Sequence, residues 1–253
     1  MGFRIEILPD AASLTARAAD DVADRLRSLL SRQAKALVMF ATGASQFGVL
    51  DRLIRAPGID WTRIDMCHLD EYVGLAPDHP ASFVRYLTER LTSRVPFASC
   101  LMIDGLAPDP AAECARLKAA LAGRTVDLAL AGIGENGHLA FNDPPADFAT
   151  TEPYIVVDLD AACRQQQVGE GWFPNLESVP ARAISASIDF ILSARRIVAA
   201  APDARKARAV RDCLDEDAPI TPRHPASALR RHGDAVVYLD PASAALLPVR
   251  PSR

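Results

Sequence analysis

Four short runs in this chain are apolar at almost every position: Ala36–Phe40, Val126–Ile133, Ile197–Ala201 and Ala235–Leu239. A strand with one wet face alternates polar and apolar residues. Runs apolar on both faces instead predict strands covered on both sides, as in a parallel sheet between helices. Phe3–Leu8 and Ile64–Leu69 read as two further strands. Ala11–Arg32, a short stretch from Gln46, Pro80–Leu91, Pro108–Leu121 and Ala204–Leu214 carry helical spacing between them. The alternation predicts an α/β fold: an open, doubly wound, mostly parallel sheet, Rossmann-like, with helices on both faces. The 253 residues suit a single domain, 1–253, and 49% hydrophobic residues suffice for a sizeable core. Pro144–Pro153 and Val168–Pro180 show no period and predict an irregular lid around 144–180.

Charge narrows the function classes. The net charge is −4, with acids and bases mixed along the chain. Such a balance predicts neither a nucleic-acid nor a membrane partner, so an anionic ligand would need a local set of fixed donors. Five widely spaced cysteines, Cys67, Cys100, Cys114, Cys163 and Cys213, include no CxxC pair. Disulfide scaffolding and a structural zinc are therefore not expected, and a reducing compartment, the cytoplasm, is. No signal-peptide pattern opens the sequence, and no apolar run approaches the ~20 residues of a membrane helix. No His/Cys/Asp cluster has metal-ligand spacing, so no metal is expected.

Ligands of open parallel sheets bind beyond the carboxyl ends of the strands. Three such ends carry unusual loops. Thr42-Gly43-Ala44-Ser45 reads either as an anion site built from backbone N–H groups or as a tight turn with Ser45 as N-cap, and by itself favours the turn. Asp70-Glu71 places two acids directly after a strand; one can face a ligand while the other caps or pairs elsewhere, or both can be solvated. Gly132-Ile133-Gly134-Glu135-Asn136-Gly137-His138 is followed by Asp143, a combination that suits an acid/base pair. The spacing Gly132-x-Gly134-x-x-Gly137 also matches a dinucleotide fingerprint, but a histidine rather than a helix comes next.

These loops resemble the glucosamine-6-phosphate deaminases. The resemblance rests on Leu69-Asp70-Glu71-Tyr72-Val73-Gly74-Leu75 with His79-Pro80-Ala81-Ser82-Phe83, and on Gly132 through Pro144. Asp203-Ala204-Arg205-Lys206-Ala207 is similar to the segment that carries that family's phosphate-binding lysine. The similarity runs from about residue 30 to about 245. It implies Asp70 as the base moving a proton between C2 and C1, and His138 as the group that opens the sugar ring. Asn136 and Asp143 would orient that histidine, with Asp143 standing where glutamate is usual. Gly43, Ala44, Ser45 and Lys206 would hold the phosphate. The family's lid arginine has no counterpart in Gln165–Phe173, and Arg164 is the nearby candidate to replace it. The basic residues of allosteric members are missing from 144–157, which implies no effector site. The implied partner is a small amino-sugar phosphate, with no cofactor; association of identical copies stays open. Related phosphogluconolactonases share the Gly-His element and provide the alternative reading. A non-enzymatic sugar-phosphate sensor ranks below both.

Overall fold

Residues 2–248 are described by the computed structural model. Within them lie ten strands: β1 (Arg4–Ile7), β2 (Ala36–Phe40), β3 (Ile64–His68), β4 (Asp70–Tyr72), β5 (Ser99–Leu101), β6 (Leu128–Ala131), β7 (Tyr154–Asp158), β8 (Arg182–Ala186), β9 (Ile197–Ala201) and β10 (Ala235–Leu239). The α-helices are α1 (Ala11–Leu30), α2 (Phe47–Leu53), α3 (Phe83–Leu87), α4 (Pro110–Leu121), α5 (Ala161–Gly169), α6 (Ile188–Leu192) and α7 (Ala207–Leu214). Three of the four apolar runs coincide with strands end to end, and every residue of β2, β9 and β10 is buried. A backbone covered on both faces cannot reach water, so its N–H and C=O groups pair along the sheet.

Seven strands form one sheet in the order β1-β10-β9-β6-β2-β3-β5, with every pairing parallel. The doubly wound expectation holds. From β2 the chain builds outward through β3 to β5, then returns to place β6 on the other side of β2. The order therefore reverses between β2 and β6, and the crevice beyond their carboxyl ends is where such sheets take ligands. Long parallel connections are bridged by helices with one apolar face. In α1 that face is Leu14, Ala18, Val22, Leu26 and Leu29, all buried, and Asp10 caps the helix by accepting from the Ser13 N–H at 2.7 Å.

A second sheet, antiparallel and in the order β4-β8-β7, stands beside the first. Periodicity does not indicate it, because β4 has three residues and shares no covered run with its partners. The segment 144–180, expected to be irregular, contains β7 and α5. Its run of glutamines, Gln165–Gln167, hides α5 from a search for an apolar stripe. The helix expected from Pro80 begins only at Phe83, because Ser82 caps it by accepting from the Arg85 N–H at 3.2 Å. An aromatic cluster of Tyr72, Phe83, Phe141 and Phe173 fastens the small sheet to α3 and the segment after α5. Among the described residues no helix is long and apolar enough to cross a membrane.

Candidate active site

The loops after β2, β6 and β9, the start of β4 and one face of α5 enclose a cavity of about 200 Å³. Its wall includes Gly43, Ala44, Ser45, Asp70, His138 and Lys206, so six of the residues singled out in the sequence meet at one place. At the floor, Gly43 takes a φ of +98°, which glycine adopts freely, and turns the chain straight out of β2 into the loop. Buried Gln46 then ties this loop to β6, donating to the Ala131 carbonyl and the Ser45 hydroxyl, both at 3.2 Å.

Strand geometry separates the two adjacent acids. Successive side chains in β4 point to opposite faces. Glu71 turns away from the cavity: its carboxylate accepts from the Ser82 hydroxyl at 2.7 Å, the Val84 N–H at 2.8 Å and the Tyr72 N–H at 2.8 Å. It anchors α3, and both of its oxygens are already engaged on the side away from the cavity. Asp70 faces the cavity, and its buried Oδ1 finds no hydrogen-bond partner. Burial, with the charge of Glu71, pushes the Asp70 carboxyl up to about 8, against an opposing pull from the Thr42 side chain. A carboxyl of this kind titrates where a general base is useful.

His138 forms the second centre. Its Nδ1 lies 3.1 Å from Asp143 Oδ1, the same oxygen that accepts from Asn136 Nδ2 at 3.0 Å. The Asp160 N–H donates to the other Asp143 oxygen at 3.2 Å, and Asn136 Oδ1 accepts from the His138 N–H at 3.1 Å. Burial works to raise the Asp143 carboxyl, but the hydrogen bond and charge of His138, then Asn136 and the Asp160 N–H, outweigh it and hold Asp143 below the usual range. An ionised Asp143 accepts from Nδ1–H, which leaves Nε2 as a lone-pair acceptor. Gly134 is required by packing: a Cβ there would lie 2.3 Å from the imidazole ring. Gly134→Ala is expected to displace the ring and lower kcat by at least ~10²-fold, the usual size of a misplaced catalytic group, with the circular dichroism spectrum unchanged. Wild-type kcat in that variant would show that the ring position does not matter.

Lys206 closes the cavity on the β9 side. It is 7% exposed, and burial lowers its pKa, while Glu170 and Glu135 pull the other way. Arg205 also lines the cavity, and its guanidinium pairs with Asp203 at 2.7 Å and Glu135 at 3.4 Å. Asp203 holds a φ of +76° without being glycine, a strained backbone of the kind that clusters at ligand sites. Arg164 requires a correction. It does not reach the cavity: its Nη2 donates to the Leu176 carbonyl at 2.6 Å and the Val179 carbonyl at 3.0 Å, so it stitches α5 to the segment after it. The residues this segment does present are Gln166 and Gln167 of α5 and Glu170 just beyond its end. Sequence reasoning assigned these and Arg205 no role, and no local pattern marks them. Likewise, His138, Asp143 and Cys163 bring ligand atoms within 4.8 Å of one another, a grouping their separation in sequence conceals.

Known proteins share the sequence pattern and the fold of this chain. The family model described as glucosamine-6-phosphate isomerases/6-phosphogluconolactonase matches residues 9–238. A glucosamine-6-phosphate deaminase of Exiguobacterium sibiricum is 39% identical over 208 residues, 82% of this chain and 79% of the relative. One from Lactobacillus delbrueckii subsp. bulgaricus is 35% identical over 226 residues, 88% and 92% of the two chains. The solved structure of a monomeric glucosamine-6-phosphate deaminase superposes with a TM-score of 0.87 at 32% identity, covering 97% of this chain and all of that one. A 6-phosphogluconolactonase from Thermotoga maritima superposes with a TM-score of 0.76 at 18% identity, covering 94% and 99%, and shares the fold.

Proposed function

Because this chain belongs to the glucosamine-6-phosphate isomerase/6-phosphogluconolactonase family, we propose that it is an enzyme converting glucosamine 6-phosphate and water to fructose 6-phosphate and ammonia. The observation that carries this reading is Asp70: a buried carboxyl with an unpartnered oxygen, facing the same cavity as the His138–Asp143 pair. Lactone hydrolysis needs no base at a carbon α to a carbonyl and would leave Asp70 without a task.

The reaction divides between the two centres. His138 Nε2 accepts the proton of the anomeric hydroxyl and returns it to the ring oxygen, opening the ring. Asp143 holds the imidazole in that tautomer and stabilises its charged form. In the open chain, Asp70 takes the C2 proton, giving an enolamine, and delivers it to C1. The resulting iminium at C2 adds water and expels ammonia. An ammonium on C2 next to Asp70 favours its ionised form, which draws the base to readiness as substrate arrives. No electrons change hands, so the chemistry calls for neither nicotinamide nor flavin. The phosphate serves as a handle whose binding energy holds the reacting carbons in place. Its cradle is the Gly43–Ser45 loop with Lys206, and Arg205 lies beside it. Helix α5 covers the cavity as a lid. Five free cysteines support a reducing compartment, the cytoplasm.

Lys206→Ala tests the substrate class. Loss of one charge-assisted hydrogen bond, roughly 1.5–3 kcal/mol, is expected to raise KM for glucosamine 6-phosphate by about ten- to a hundredfold and to leave any turnover of unphosphorylated glucosamine unchanged. If wild type shows no preference for the phosphorylated sugar in an ammonia-release assay, the phosphate site and the substrate class are both wrong.

A further inference from the structure

We propose that His138, Asp143 and Cys163 together form an inhibitory site for Zn²⁺, in which the ion takes the place of the protons shared around Asp143. Three kinds of donor atom converge here: an imidazole nitrogen, a carboxylate oxygen and a thiol sulfur, all within 4.8 Å of one another. Around a tetrahedral zinc with bonds of ~2.0–2.3 Å, neighbouring ligand atoms lie roughly 3.3–3.8 Å apart. The Nδ1–Oδ1 separation is already 3.1 Å and no ligand atom lies more than 4.8 Å from another, so closing the set asks at most about 1 Å of the sulfur. Cys163 sits in the first turn of α5, and Asp160, the cap of that turn, donates its N–H to Asp143, so the helix start and the carboxylate are already fastened together.

The donor set also selects the ion. Sulfur and imidazole favour Zn²⁺ over Mg²⁺ or Ca²⁺, which prefer oxygen ligands. The charges cancel: two positive on the metal against one negative each on Asp143 and the Cys163 thiolate. A neutral cluster is what a buried site tolerates. The Asn136 side chain and the Asp160 N–H remain on the carboxylate as outer partners that hold it in place. The protons balance as well. Cys163 releases its thiol proton to solvent, and His138 moves its Nδ1 proton to Nε2, so one proton leaves for each zinc bound. His138 borders the cavity, which provides the ion's way in.

Binding rests on this geometry alone. Inhibition rests in addition on the role proposed for His138, because a protonated Nε2 can no longer accept the anomeric proton. The experiment separates the two. Chelator-treated protein is titrated with Co²⁺, and the thiolate-to-cobalt charge-transfer absorption in the near ultraviolet is recorded for wild type, Cys163→Ala and Cys163→Ser. The band is expected at one cobalt per chain in wild type, to be displaced by Zn²⁺, and to be absent from both variants. Serine keeps the buried volume should alanine fail to fold. In the ammonia assay Zn²⁺ is expected to stop wild type, with recovery on adding chelator. Cys163→Ala, active without metal, is expected to need more than about tenfold more zinc, since loss of a ligand should exceed the cost of losing an outer partner. A missing band in wild type overturns the site. So does a band that persists in Cys163→Ser, which would place the metal on another thiol, or equal zinc sensitivity in wild type and variant. A Cys163-dependent band in a protein that releases no ammonia would leave the metal site standing and overturn the proposed reaction instead.

Discussion

Asp70→Asn is expected to abolish exchange of the C2 proton with solvent and to lower turnover by ~10²–10⁴-fold, the usual cost of a lost general base. The same change is expected to stabilise the protein at alkaline pH, and burial sets the sign. The Asp70 carboxyl lies at 3.8 when unperturbed and is pushed up to about 8 in the folded protein, by burial and then by Glu71. Between those values the folded state retains a proton that the unfolded state has lost, so stability falls as pH rises and levels off above about 8. Asparagine carries no charge and removes this slope. At about pH 9 the variant should melt above wild type by at least ~2 °C, the shift that about 1 kcal/mol produces in a chain of this size. In wild type the same ionisation should make kcat/KM rise with pH through about 8, the value of the free carboxyl. Deuterium incorporation at C2 and calorimetric melting are the two measurements. Exchange near the wild-type rate removes Asp70 from the chemistry, whereas a variant that melts lower at alkaline pH contradicts its burial as a charge.

His138→Gln is expected to lower kcat/KM for the cyclic sugar phosphate by ~10²–10⁴-fold, because glutamine keeps polarity and approximate size but cannot shuttle a proton. Ring opening is the one step proposed for this histidine. Its Nδ1 is committed to Asp143, so only Nε2 is free for substrate. An open-chain analogue has no ring to open, and its affinity, measured by calorimetry, is expected to change little. Equal losses of affinity for a cyclic and an acyclic ligand would make His138 a general electrostatic contact and return the ring-opening step to water.

Much of the scaffold was legible in the residues. Ala36–Phe40, Ile197–Ala201 and Ala235–Leu239 are strands from first residue to last, because a run apolar on both faces is satisfied only where both faces are covered. The site loops stand directly after strands of the parallel sheet, so chain order alone locates them. Elsewhere the information is not local. Strand β8 is recognisable only through its pairing with β4 and β7, and α5 is a helix whose glutamines carry no apolar stripe. Arg164 is near the lid in sequence, which suggested a place in the site, yet helix direction aims its guanidinium at the carbonyls of Leu176 and Val179.

The sequence by itself determined the class of sheet, the positions of its central strands and the loops at their carboxyl ends, because burial imposes a period that neighbouring residues must all obey. It also supplied both acids of Asp70-Glu71 without distinguishing them. Only the tertiary structure decided which one serves the cavity: β4 pairs with β8 in a register that sets Asp70 opposite Ser185, and the next residue along must face the other way. The same holds for Arg205, Glu170 and Cys163, whose neighbours in space are distant in the chain. Periodicity reports the environment of a residue along its own element, whereas the identity of the groups it meets is fixed when separate elements close on one another.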